Sequence, residues 1–152
     1  MKAVAYCLLL AFWCPVLPAE NVTITIRLVN GKNGKPITNE NLNVFFGDSG
    51  LAATCQPDKN GMSWFTVDSN AILDFDSNIG VTCHSYALNV QQRHYRVSEI
   101  LDHGISDENI CNKKIRVEAR AGEFVYYERP RTFLEWWRWK GRSLLHPRWT
   151  PF

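Results

Sequence analysis

The stretch "NVTITIRLV" at 21–29 is the strongest constraint on what this chain can fold into. Val22, Ile24, Ile26 and Leu28 alternate with Thr23, Thr25 and Arg27. A period of two sends the apolar set to one face of an extended strand, whereas a helix would scatter it around its axis. Such a strand is not stable alone. It needs hydrogen-bonded neighbours along its edges and a second layer over its apolar face.

The rest of the chain supplies neighbours. "NGKNGKP" (30–36) combines Asn-Gly turn signals with a proline, and no helix or strand survives it. "LNVFF" (42–46) is a second strand, closed by the turn "GDSG" (47–50), and "LAATC" (51–55) is a third. "QPDKNG" (56–61) is a turn with proline at its entry and Asn60-Gly61 at its exit, after which "MSWFTV" (62–67) returns as a hairpin partner. "AILDF" (71–75), "IGVTCHSYALNV" (79–90), "KIRVEA" (114–119) and "EFVYY" (123–127) read as further strands. The texture changes at "YRVSEILDHG" (95–104), where Ser98 is placed to cap a short helical turn and Gly104 to end it. No long helix precedes residue 132, which excludes a parallel α/β fold. Short strands with turn signals roughly every 8–12 residues predict an all-β body, an antiparallel seven-stranded β-sandwich over 20–131 with a short helical insertion.

The first residues predict export. Lys2 precedes the apolar run "AVAYCLLLAFWCPVL", and "LPA" places Leu17 and Ala19 at the −3 and −1 positions of a cleavage site before Glu20. Residues 1–19 therefore read as a signal peptide, with Pro15 and Pro18 against a continuous helix and Trp13 too large for a lipobox before Cys14. The expected location is periplasmic or extracellular. Removing 1–19 leaves Cys55, Cys83 and Cys111, so an oxidising compartment implies one disulfide and one spare thiol, with three pairings open. No Cys-x-x-Cys pair is present, and no metal or cofactor is expected.

Two resemblances rest on quoted motifs. "TIRLVNGKNGKPITNENLNVFF" and "PDKNGMSWFTV", the latter with Asp58, Gly61 and Phe65 in an Asp-x-x-Gly-x-x-x-Phe hairpin, resemble the opening of carboxypeptidase regulatory-like, or transthyretin-like, domains. The resemblance implies a prealbumin- or immunoglobulin-like sandwich, with Gly61 at positive φ and Asp58 capping the turn through its side chain. The second half, through Tyr95, Val97, Glu99, Ile100, Leu101, Gly104, Ile105, Asn109 and Cys111 and on into "GEFVYYERPRTFLEWWRW", resembles a group of exported bacterial proteins of unknown function. The sequence departs from their usual Pro-Gly-Glu turn with Ala121-Gly122-Glu123. In this layout Cys83 leaves a strand before the helical insertion and Cys111 closes it, which favours a Cys83–Cys111 disulfide worth roughly 3 kcal/mol by loop-closure entropy.

Catalytic signatures are sparse. His84, His94, His103 and His146 lack metal-binding spacing, and Gly-x-Ser-x-Gly is absent. "GDSG" has no accompanying His and Asp segments and reads as a turn, and "PDKNG" has its glycine too early for a calcium loop. The closing Tyr-Arg-Gly-Ser of 5-hydroxyisourate hydrolases, which share the transthyretin-like fold, is also absent. One enzymatic alternative survives, a small hydrolase in which His84 and His94 converge with Asp74 or Asp76. Trp64 lies on the face of its strand with Met62 and Thr66, opposite Phe65. Aromatic burial dominates sandwich cores, so Trp64 is expected inside; an exposed Trp64 would instead offer a stacking platform to a sugar.

The end of the chain, 132–152, is an aromatic, basic tail. Residues 128–152 hold six basic residues against Glu128 and Glu135, net +4, whereas 20–127 is net −3. Thr132 and Glu135 form a capping box, predicting a helix over 133–140 stopped by Gly141, with "RSLLHPRWTPF" irregular beyond it. Phe133, Leu134, Trp136 and Trp137 share one side with Trp139 beside them, Glu135 and Arg138 lie opposite, and Lys140 sits at the border. So short a helix must dock, and three surfaces fit it: its own sandwich, a membrane interface, or a partner protein. Nucleic acid is a poor partner for an exported chain. The function expected is non-enzymatic: an exported sandwich that binds or scaffolds at the cell envelope, meeting a protein, a glycan or a membrane surface.

Overall fold

A computed structural model describes residues 20–47, 50–77, 80–84 and 94–145. Residues 1–19, expected to be a signal peptide, Asp48 and Ser49 of the "GDSG" segment, most of the 79–90 segment expected to be a strand, and residues 146–152 lie outside the described residues.

Two sheets stack face to face. The first runs in the order β4 (Met62–Asp68), β1 (Asn21–Asn30), β9 (Glu123–Arg129), β6 (Val81–Thr82), with β8 (Ile105–Ser106) also on β9. The second runs β3 (Leu51–Cys55), β2 (Leu42–Phe46), β5 (Ile72–Ser77), β7 (Tyr95–Arg96). The period-2 pattern of β1 has the predicted consequence: Ile24, Ile26 and Leu28 are buried and meet Phe124 and Tyr126 of β9 and Val67 of β4. Leu42, Val44, Leu73 and Phe75 of the second sheet close the same core, with Phe75 stacked on Phe124 at 4.1 Å between centroids. The core of a β-sandwich, two inner faces interdigitating, is therefore present.

Three expectations need correction. The sandwich is not wholly antiparallel: β1 pairs β9 in parallel, Ile26 opposite Phe124, and β8 pairs β9 in parallel. A two-residue hairpin forces antiparallel pairing, but β1 and β9 are the first and last strands of the body and no tight turn joins them. Second, the described residues form nine strands rather than seven. Third, "KIRVEA" is not a strand. Its alternation is used, but against a sheet face: Ile115, Val117 and Ala119 pack with Cys111 onto Val29, Val125 and Tyr127 on the outer side of the first sheet. Side chains serve its backbone in place of a ladder. The Tyr127 hydroxyl accepts from the Val117 N–H at 2.6 Å, and the Asn109 amide donates to the Ile115 carbonyl at 3.1 Å.

The helical insertion is α1 (Val97–His103), which plugs one end of the core with buried Val97 and Ile100. Gly104 ends it as expected, but Ser98 does not cap it; Arg96 is the N-cap residue, without a side-chain bond. The cap is unnecessary because the Val97 N–H donates to the Ala71 carbonyl at 3.0 Å. The 56–61 turn has the local geometry expected of it but does not close a hairpin: β3 pairs β2 while β4 pairs β1, so the turn carries the chain from one sheet to the other. Gly61 has φ 74°, and Asp58 Oδ1 accepts from the Asn60 and Met62 amides at 2.8 Å each. A Cβ at Gly61 would also sit 2.7 Å from the Leu28 carbonyl oxygen.

Candidate functional site

The tail helix α2 (Phe133–Leu145) follows β9 across a three-residue link. It runs 13 residues, through Gly141 rather than stopping there. A helical glycine costs only about 1 kcal/mol relative to alanine, and the stronger stop signal is His146-Pro147, since the residue before proline is steered away from helix.

The capping box forms. The Thr132 N–H donates to Glu135 Oε2 at 2.9 Å, and Thr132 Oγ1 accepts from the Glu135 N–H at 3.4 Å while also donating to Oε2. The sequence reading missed a second element. Arg129, the last residue of β9, donates through both terminal nitrogens to Glu135, at 2.7 and 2.6 Å. That fork, with help from Thr132, holds the Glu135 carboxyl far below its ordinary range, and Glu135 in turn raises the Arg129 pKa. The start of α2 is thus fastened to the end of a central strand by three side chains.

What the clamp presents is apolar. Phe133 is 72% exposed, Leu134 69% and Trp137 60%, with Trp136 also open to solvent. The sandwich therefore does not cover this face. Phe133 and Trp136 lie nearly parallel, 6.4 Å apart, and Lys140 Nζ stands 4.3 Å over the Trp136 ring. Arg138 is exposed, and Trp139 lies within α2.

Trp64 departs from the core assignment: it is 61% exposed. The alternation was read correctly and the buried face was not. β4 is an edge strand of the first sheet, and the 111–119 cover rests on Val29, Val125 and Tyr127. Trp64 lies in register with Thr25, which is in register with Glu123, and Glu123 pairs with Arg27 at 2.6 Å.

His84 and His94 each meet a carboxylate. His84 Nδ1 lies 2.9 Å from Asp107 Oδ2, both buried, and the Tyr95 hydroxyl donates to Asp107 Oδ1 at 2.8 Å. Burial pushes the Asp107 carboxyl up, but hydrogen bonds from His84 and Tyr95 outweigh it and leave its pKa below the ordinary value. His94 Nδ1 lies 2.9 Å from Asp74 Oδ1, whereas Asp76 is exposed. Beside Asp107 a cleft of about 610 Å³ opens, lined also by Ser106, Asn109, Arg116 and Tyr127. Two of its polar groups are engaged in holding the fold: Asn109 donates to the Gly31 and Ile115 carbonyls, and Tyr127 accepts from the Val117 N–H. Among the described residues no group of three or more His, Cys, Asp and Glu is placed to hold a metal ion.

Cys83 and Cys111 are bonded, Cα atoms 5.2 Å apart, and Cys55 is free and buried, its thiol pKa raised by burial. Asp107 and Arg129 are the residues sequence reading did not find. Neither stands at a helical or strand spacing from its partner, so no local pattern announces them. Among the described residues no helix is long and apolar enough to cross a membrane. No family model, no curated protein and no solved structure matches the chain.

Proposed function

We propose that this protein is an exported, non-catalytic β-sandwich that binds at the cell envelope through its tail helix. The carrying observation is that α2 is clamped at its start by Arg129 and Glu135 while Phe133, Leu134, Trp136 and Trp137 stand exposed. A helix that only closed a core would turn that face inward. Export is supported by the leader pattern of 1–19 and by the Cys83–Cys111 disulfide, which suits a non-cytoplasmic compartment. A carboxypeptidase regulatory-like or prealbumin-like assignment of the sandwich rests on the motifs at 25–46 and 57–67 and is supported by the Asp58–Gly61 turn. The non-catalytic reading is supported by His84, whose ring is buried against Asp107 in a bonded chain that also takes up Tyr95.

The test compares the chain 20–152 with one ending at residue 131. Equal melting temperatures with loss of retention on isolated envelope fractions support the reading. A collapse in stability on truncation makes the tail part of the fold and sinks it.

One observation favours a second binding mode. Trp64 is exposed beside Thr25 and the Arg27–Glu123 pair, an aromatic plane with flanking polar groups suited to a sugar ring. Glycan-array binding abolished by Trp64→Ala would support it; binding that survives the substitution would exclude Trp64 as the platform.

A further inference from the structure

We propose that the occupant of the exposed α2 face is an anionic lipid surface, on which the helix lies parallel to the bilayer. This rests on the envelope-binding reading and names the surface bound.

At 1.5 Å per residue, α2 is roughly 20 Å long, too short to span a bilayer of about 30 Å but suited to lying along its surface. At 100° per residue, Trp136, Phe133, Trp137 and Leu134 follow one another around one side of the helix, and all four are exposed. Arg138 lies toward the opposite side, next to Glu135. This is the cross-section of an interfacial helix: an apolar sector entering the acyl boundary and a polar sector facing water. Indole rings are the preferred occupants of that boundary, being apolar in body with one N–H to satisfy.

Charge decides between lipid classes. Residues 129–145 hold Arg129, Arg131, Arg138, Lys140 and Arg142 against Glu135 alone. Glu135 is committed to Arg129, so it does not stand in solution as a free anion repelling headgroups. Lys140 lies on the apolar side, with its ammonium 4.3 Å above the Trp136 ring. A lysine side chain is long and flexible enough to carry its charge from there to the headgroup level. The body, 20–127, is net −3. An anionic surface therefore attracts the tail and repels the body, which orients the sandwich away from the membrane. Each basic residue near such a surface adds appreciably to binding, and salt screens the attraction.

The clamp gives the arrangement its function. Arg129 is fixed in β9, and through Glu135 it sets the angle at which α2 leaves the sheet. The helix need not pay the whole ordering cost on contact with lipid, because its first turn is already capped and fastened.

The test uses the full chain 20–152 with vesicles of phosphatidylcholine, with and without phosphatidylglycerol, read by co-sedimentation and by a blue shift of tryptophan emission in a Trp64→Phe background. The expected result is binding to the phosphatidylglycerol vesicles, weaker by at least about tenfold on pure phosphatidylcholine, and weakened by salt. Arg138→Glu with Lys140→Glu should reduce binding by at least about tenfold, and Phe133→Ser with Trp137→Ser should abolish it, both with unchanged melting temperature. Equal binding to both vesicle types, or binding untouched by either pair of substitutions, overturns the proposal. Retention on envelope fractions that needs α2 while neither vesicle binds also overturns it, assigns the face to a protein, and leaves the envelope-binding reading standing. Loss of both retention and vesicle binding overturns the two together.

Discussion

Arg129 and Glu135 meet across the turn between the last strand and the tail helix as a two-pronged ion pair, nitrogen to oxygen 2.6 and 2.7 Å. The pair joins the most regular part of the molecule to its most exposed part. The carboxylate also completes the capping box with Thr132, so one side chain both starts α2 and ties it down. Arg129→Ala removes the tie and leaves the box. Backbone amides at 133–137 should then exchange several-fold faster, while the melting temperature of the body moves by no more than about 2 °C. Hydrogen exchange read by NMR checks both.

The same pair fixes a pH response. Glu135 titrates far below its ordinary value of 4.5 when folded. A depressed carboxylate contributes stability that is present above the unfolded pKa and is lost as pH falls through the folded one. The clamp should therefore stay intact at pH 4.5 and open only in stronger acid. The Glu135 carboxyl carbon shift should titrate well below 4.5 in the native chain and return toward 4.5 in Arg129→Ala. A native titration already centred at 4.5 would show that the fork is not formed in solution.

The disulfide closes the segment that carries β7, α1 and β8, its cysteines 28 positions apart. Loop-closure entropy gives about 3–4 kcal/mol for a loop of that size. Cys83→Ser with Cys111→Ser should lower the unfolding free energy in urea by about that amount, and reductant should do the same to the native chain. Gly31 sits against the bridge: a Cβ there would lie 2.6 Å from Cys83 Sγ and 2.7 Å from Asn109 Oδ1. Gly31→Ala should cost about 1–3 kcal/mol through overpacking, in a position whose backbone is otherwise ordinary.

How much of this was legible follows from the range of each interaction. β1, the 56–61 turn and the capping box are set by neighbours a few residues apart, and their patterns are visible in the sequence. The parallel pairing of β1 with β9 is not, because it joins the two ends of the body. "KIRVEA" shows the limit of periodicity. Alternation reports that one side of an extended segment is buried, and it is silent on whether a ladder neighbour or a sheet face does the burying. Trp64 shows the same limit from the other side: its face was legible, but not that the 111–119 segment covers that face only over Val29, Val125 and Tyr127 and leaves Trp64 bare. Asp107 meets His84 and Tyr95 from 23 and 12 residues away, beyond any local signal.

The 113–119 segment supplies the last prediction. Its Val117 N–H finds the Tyr127 hydroxyl at 2.6 Å, and the same hydroxyl lies 3.3 Å from Ser106 Oγ. Tyr127 is buried, so this oxygen takes the place of the strand that would otherwise satisfy the segment. Tyr127→Phe keeps the ring that packs on the segment and deletes only the hydroxyl. The half-buried Val117 amide then loses its acceptor, at a cost of about 1 kcal/mol. The loss should be local as well as global: Val117 should exchange markedly faster than Val125, which keeps its strand pairing with Arg27. An unchanged Val117 amide in the Phe variant would mean that apolar contact of Ile115 and Val117 with the sheet, rather than the hydroxyl, holds the segment in place.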